Sequence, residues 1–281
     1  MPKIPVNGVN LYYEEAGSGT PLLFLHEFAG DYRSWEPQMR FFARRYRCVT
    51  TSYRGYPPSD VPDDPSAYSQ DILLDDVLGL MDALDIDKAH ICGLSIGANS
   101  AVFLGVRDPA RCLSLVVAGG GHGSVRDALD REDFERDFTV RAERLLQEGM
   151  ATVGGEHAEK PNRQPMKKKD PRGWAEFRDQ LIEHDPMGSA YMGLGVPLKR
   201  PNFYNIEDDL RRMDVPTLII VGDQDDNCIE GSLFLKQALP RAGLAMFPMS
   251  GHLLPIEEPD LFNRMVLEFL TLAEAGRWER P

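Results

Sequence analysis

The stretch Gly93-Leu94-Ser95-Ile96-Gly97 limits what this chain can fold into more than any other part of its sequence. It follows the apolar run Ala89-His90-Ile91-Cys92 and opens a segment rich in Ala98, Ala101, Val102 and Leu104, so a buried strand turns directly into a helix with a serine at the corner. A turn this tight strains its central residue and leaves room only for small neighbours, a need that Gly93 and Gly97 meet. The hydroxyl then stands at the carboxyl end of a strand, where a nucleophile belongs. An isolated serine is a poor nucleophile near neutral pH. Such a chain therefore needs a base within hydrogen-bond reach and an acid to orient that base.

Other apolar runs surround this strand with a sheet. Val9 to Tyr13 alternates like a half-exposed antiparallel strand, whereas Leu22 to Leu25 is continuously apolar, as a strand buried on both faces would be. Cys48 to Thr50, Leu113 to Val117 and Thr217 to Val221 are of the second kind. Between them, Ser69 is a candidate N-cap for a helix whose Leu74, Val77, Leu78, Met81 and Leu84 form one stripe. Pro259 suits the first position of a last helix, with Phe262, Met265, Val266, Phe269 and Leu270 on one face. Strand and helix alternating in this way give an α/β fold, a mostly parallel twisted sheet with helices on both faces. The alternation fails between Gly123 and Asn205, where charged helical stretches such as Asp127 to Gln147 are followed by Gly154-Gly155, Lys167-Lys168-Lys169 and Met187-Gly188-Ser189. The expected organisation is a core of residues 1–122 and 206–281, with residues 123–205 inserted as a helical cap over a ligand crevice. The lysine run reads as a solvated loop face.

A chain of 281 residues is near the upper limit for one such core. A mean hydropathy of −0.33 and the lack of any apolar stretch of roughly twenty residues argue against a membrane protein. The net charge of −13 repels phosphate backbones and anionic lipid, so a small-molecule substrate is expected rather than nucleic acid or membrane. The start Met1-Pro2-Lys3-Ile4-Pro5 has no apolar leader core, and Cys48, Cys92, Cys112 and Cys228 lie far apart, which fits buried thiols in a cytoplasmic monomer or homodimer. His26-Glu27 begins H-E-x-x-H, but Gly30 takes the second histidine's place. No metal and no cofactor are expected.

For the base, His252 stands apart from the other histidines. It follows the strand Leu244 to Phe247 in a loop, Ser250-Gly251-His252, able to overhang the serine turn. For the acid, the strand ending at Val221 runs into Gly222-Asp223-Gln224-Asp225-Asp226, and three aspartates compete. The other strand end, Ala118-Gly119-Gly120-Gly121-His122, offers no carboxylate.

Over essentially its whole length the chain resembles the α/β-hydrolase superfamily, in its serine-nucleophile, esterase-like branch with a helical cap. The resemblance is carried by His26-Glu27-Phe28-Ala29-Gly30, Ser52 to Asp60, the serine turn, Gly222 to Asp225 and Gly251-His252. It implies Ser95, Asp225 and His252 as catalytic residues, with Asp223 in reserve, and oxyanion donors at the backbone N–H groups of Phe28 and Ile96. Serine rather than aspartate at the turn argues against the dehalogenase and epoxide hydrolase branches. Hydrolysis of a carboxylic ester or lactone is the first expectation; a carbon–carbon bond hydrolase and a non-turnover ligand receptor are the alternatives. The substrate pocket is expected among His26, Glu27, Phe28, Met187, Tyr191, Met192 and Phe203. Glu27 departs from the family pattern, where glycine commonly follows the histidine. A carboxylate there would oppose developing negative charge, so its side chain is expected either to face away, the favoured arrangement, or to contact a positive group.

Overall fold

The structure, a computed structural model, describes residues 3–279. Eight strands form one sheet: β1 (Lys3–Val6), β2 (Val9–Ala16), β3 (Pro21–Leu25), β4 (Arg47–Thr51), β5 (Ala89–Leu94), β6 (Cys112–Ala118), β7 (Thr217–Gly222) and β8 (Ala242–Phe247). Their order is β1-β2-β4-β3-β5-β6-β7-β8, antiparallel at β1-β2 and β2-β4 and parallel from β4 to β8. The antiparallel edge and parallel centre match the alternating and continuous apolar runs of the sequence.

Continuous runs are needed because alternate side chains serve two different cores. Leu23, Leu25, Val49, Ile91, Leu115, Val117 and Ile219 pack on one face, and Leu22, Phe24, Cys48, Cys92, Val116, Leu218 and Ile220 on the other. Each fully buried Leu, Ile or Phe contributes about 1.5–3 kcal/mol, so a polar residue anywhere in these runs would be felt. Helix α1 (Glu36–Phe42) closes the second face, and α2 (Gln70–Ala83) and α3 (Ile96–Arg107) close the first. Ser69 caps α2 as its sequence suggests, its hydroxyl accepting the Ile72 N–H at 3.1 Å. All four cysteines are buried and unbridged.

Between β6 and β7 the described residues are helical and contain no strand. They form α4 (Ala128–Ala158), α5 (Gln164–Lys169), α6 (Pro171–Ile182), α7 (Pro186–Gly195) and α8 (Glu207–Arg212). Asp127 caps α4 through the Leu129 N–H. The break in α4 falls at Gly149 (φ 78°, ψ 174°), whereas Gly154 and Gly155 stay helical. The lysine run lies on α5 rather than on a loop: Lys167 pairs with Glu159, and Lys169 with Glu257 and Glu258. After β7 come α9 (Asp226–Ala238), α10 (Leu254–Glu257) and α11 (Pro259–Glu274), whose Phe262, Val266, Phe269 and Leu270 join the second core.

Candidate active site

Register brings the strand ends together. Leu25 pairs with Gly93, Leu94 with Ala118, Ala118 with Ile220 and Gly222 with Phe247, so the loops that follow β3, β5, β6, β7 and β8 rise from one carboxyl edge. At the centre Ser95 joins β5 to α3 with φ 56° and ψ −111°. A non-glycine residue in that region carries strain of order 1–3 kcal/mol, which the surroundings must hold in place. They do so by contact. A Cβ at Gly97 would stand 2.1 Å from the Leu25 carbonyl oxygen, and one at Gly93 would stand 2.2 Å from the Gly97 carbonyl carbon. The Ser95 N–H donates to the Ala118 carbonyl at 2.9 Å. Ile96 begins α3, where the first N–H groups have no acceptor within the helix.

His252 and Asp225 meet beside this turn. Nδ1–H of His252 donates to Asp225 Oδ2 at 2.6 Å, and both side chains are buried. Burial alone would raise the Asp225 pKa, but the charge and hydrogen bond of His252, with the amide of Asn162, bring it down to about 2. Asn162 works twice, since its Nδ2 donates to Asp225 Oδ1 at 3.0 Å and its carbonyl accepts the His252 N–H at 2.8 Å. Glu257 holds the same loop by accepting the Gly251 N–H at 3.0 Å. Asp223, by contrast, is exposed and accepts the Ser250 N–H at 3.2 Å. Asp225, Cys228 and His252 bring ligand-type atoms within 4.8 Å of one another. Burial pushes the Cys228 thiol well up, and Nδ1 is already committed to Asp225, so these groups make a hydrogen-bonded acid and base rather than a thiolate metal set.

The loop after β3 is pinned from below. Buried His26 donates from Nδ1 to the Glu27 carbonyl at 2.7 Å and accepts the Tyr53 N–H on Nε2 at 3.1 Å, with burial lowering its pKa to about 4. Its ring is fully committed to the loop and does not line the cavity. Tyr56 donates its hydroxyl to the Phe28 carbonyl at 2.9 Å. The stretch after β4 thus buttresses the turn that carries Phe28.

Glu27 takes the less favoured of its two expected arrangements, contact with a positive group. Its Oε2 accepts Nη2 of Arg163 at 2.7 Å and lies 3.8 Å from Nε2 of His252, with the Glu27 and Arg163 side chains both at least 96% buried. A buried carboxylate can turn inward there because a guanidinium arrives from the helical insertion. Only part of the expected pocket set lies beside Ser95. Phe28 and Glu27 do line the cavity beside Ser95, but Met187, Tyr191, Met192 and Phe203 do not. Tyr191 stacks edge-on against Tyr68, Met192 belongs to the core, and Phe203 packs on Phe103.

The cavity, of about 360 Å³, contains Ser95, Asp225 and His252 together with His122, Phe138, Arg141, His157 and residues 160–163. Sequence reading missed Arg141, Lys160, Asn162 and Arg163. The only available signal was the cationic and amide groups themselves, Arg141 within α4 and Lys160, Asn162 and Arg163 just after it. Burial and neighbouring arginines lower Lys160 to about 7, and burial and Arg163 lower Arg141 to about 10. Burial and Arg200 lower His122 to about 3, and His157 is held well below its ordinary value.

The chain is similar to known proteins over most of its length. A 3-oxoadipate enol-lactonase of Acinetobacter baylyi is 28% identical over 251 residues, covering 89% of this chain and 88% of the relative. An enol-lactonase of Burkholderia xenovorans superposes with a TM-score of 0.84 at 26% identity, covering 96% of this chain and all of the other. A thermophilic esterase of Thermogutta terrifontis shares the fold, with a TM-score of 0.87 at 23% identity over 97% of this chain and 99% of its own. Among the described residues no helix is long and apolar enough to cross a membrane. The model of the alpha/beta hydrolase fold matches residues 20–259, from β3 to the first residue of α11, and the chain belongs to that family.

Proposed function

We propose that the protein is a serine hydrolase that cleaves a small carboxylic ester or lactone through an acyl-enzyme on Ser95. The observation that carries this reading is the 2.6 Å bond between His252 Nδ1 and Asp225, set beside a strained serine in one cavity. Similarity to enol-lactonases supports the choice of bond, since an enol-lactone is a cyclic ester. Residues 123–205 act as the cap, closing the crevice and contributing the far wall.

In the proposed reaction Ser95 Oγ attacks the carbonyl carbon and its proton passes to His252 Nε2. Asp225 keeps the ring oriented and stabilises its cation. The oxyanion accepts the N–H groups of Ile96 and Phe28. As the intermediate collapses, the leaving oxygen takes the proton from His252; in a lactone that oxygen stays tethered to the acyl chain. Water repeats the sequence on the acyl-enzyme, giving a carboxylic acid and restoring Ser95. Pairing with Arg163 offsets the charge that Glu27 alone would set against the oxyanion.

A fluorophosphonate probe followed by peptide mapping tests the assignment. The adduct is expected on Ser95, and Ser95→Ala should lose hydrolysis of short nitrophenyl esters. Labelling elsewhere, or full activity in Ser95→Ala, removes the proposed mechanism.

A further inference from the structure

One part of the cavity lining carries positive groups that no carboxylate hydrogen-bonds. Arg141 of α4 lies with its guanidinium 4.5 Å over the Phe138 ring, and Lys160 follows α4, both lining the cavity. Among the described residues neither side chain forms a hydrogen bond or ion pair with a carboxylate. Between them His157, 91% buried, has neither ring nitrogen hydrogen-bonded. Arg163 differs, because Glu27 neutralises it.

Resting on the serine-hydrolase reading, we infer that Arg141, Lys160 and His157 form a carboxylate subsite, and that the natural ester or lactone carries a free carboxylate at the end away from the scissile bond. Half-buried cations and a buried, unbonded imidazole are unfavourable in the empty cavity, and an anion satisfies all three at once. Lys160, lowered by burial and by Arg141 and Arg163, and Arg141, lowered by burial and by Arg163, report the same tension. One negative charge fits better than two. Asp226 lines this cavity and Asp137 the lobe adjoining it, so a dianionic phosphate would meet repulsion that a carboxylate largely escapes.

The test compares two nitrophenyl esters of equal length, the neutral valerate and the hydrogen glutarate, alongside binding of free glutarate and inorganic phosphate by calorimetry. The glutarate ester should show at least about tenfold higher kcat/KM, and Arg141→Met should reduce that preference at least about fivefold and weaken glutarate binding about tenfold. Lys160→Met carries the same test if Arg141→Met does not fold. Equal or better turnover of valerate, glutarate binding unchanged in the folded variants, or phosphate binding tighter than glutarate would overturn the subsite. If neither ester is turned over, the hydrolase reading fails, while glutarate binding still decides the subsite without any chemistry.

Discussion

Asp223 and Asp225 are two positions apart, yet their surroundings give them opposite roles. Asp225 is buried against His252 and Asn162, whereas Asp223 is exposed and holds only a backbone N–H. Asp225→Asn should therefore lower kcat by about 10³–10⁴ with little change in KM, and Asp223→Asn should be mild. The reverse pattern in steady-state kinetics would move the role to Asp223. Glu27→Gln should destabilise the fold by about 3 kcal/mol in denaturant titration, because it strands the Arg163 guanidinium among buried neighbours. The double variant Glu27→Gln/Arg163→Met should recover at least half of that loss, and simple additivity would show that the two are not coupled. The residues after β7 narrowed the acid to three aspartates, and the family resemblance, not spacing, singled out Asp225. The sequence could not carry the orientation of Glu27, which depends on a partner 136 positions away.

The serine turn is the element whose geometry was most legible, since only glycine fits at its two shoulders. Gly97→Ala would drive a methyl into the Leu25 carbonyl and should cost roughly 3 kcal/mol or more, read as a large fall in Tm or loss of soluble protein. An unchanged Tm would mean that the turn is looser than described. Strands were legible for a related reason: a segment buried on both faces has to be apolar throughout. The insertion was legible as helical but not as a surface. Helical spacing marks Met192 and Phe203 as apolar, yet both serve the core, while the cavity wall is made by Phe138, Arg141 and His157 of α4. Amphipathic periodicity identifies the face that hides from water, and a polar cavity is built from residues outside that face.

At the scale of the molecule, stability depends on histidines buried in their neutral form. His26 has its folded pKa lowered to about 4 by burial, and burial with neighbouring cations holds His157 well below its ordinary value. The unfolded chain takes up a proton near pH 6.5 that folded His26 refuses until about pH 4, so this contribution is intact above 6.5 and lost as pH falls between the two. At pH 5 the loss for His26 alone is about 2 kcal/mol, following from about 1.36 kcal/mol per pH unit. Unfolding free energy measured from pH 7.5 to 5 should fall accordingly, with a shallower slope in His26→Gln; an equal slope would mean that His26 is charged in the folded protein. The double grip of Asn162 on Asp225 and His252 bears on how such an enzyme can change over generations. The helical insertion holds Asp225 and His252, the proposed acid and base, so it does not behave as a detachable specificity module. A transplanted insertion would have to bring an amide to the same turn, and new substrate preferences are reached more safely by single substitutions along α4 that leave that turn in place.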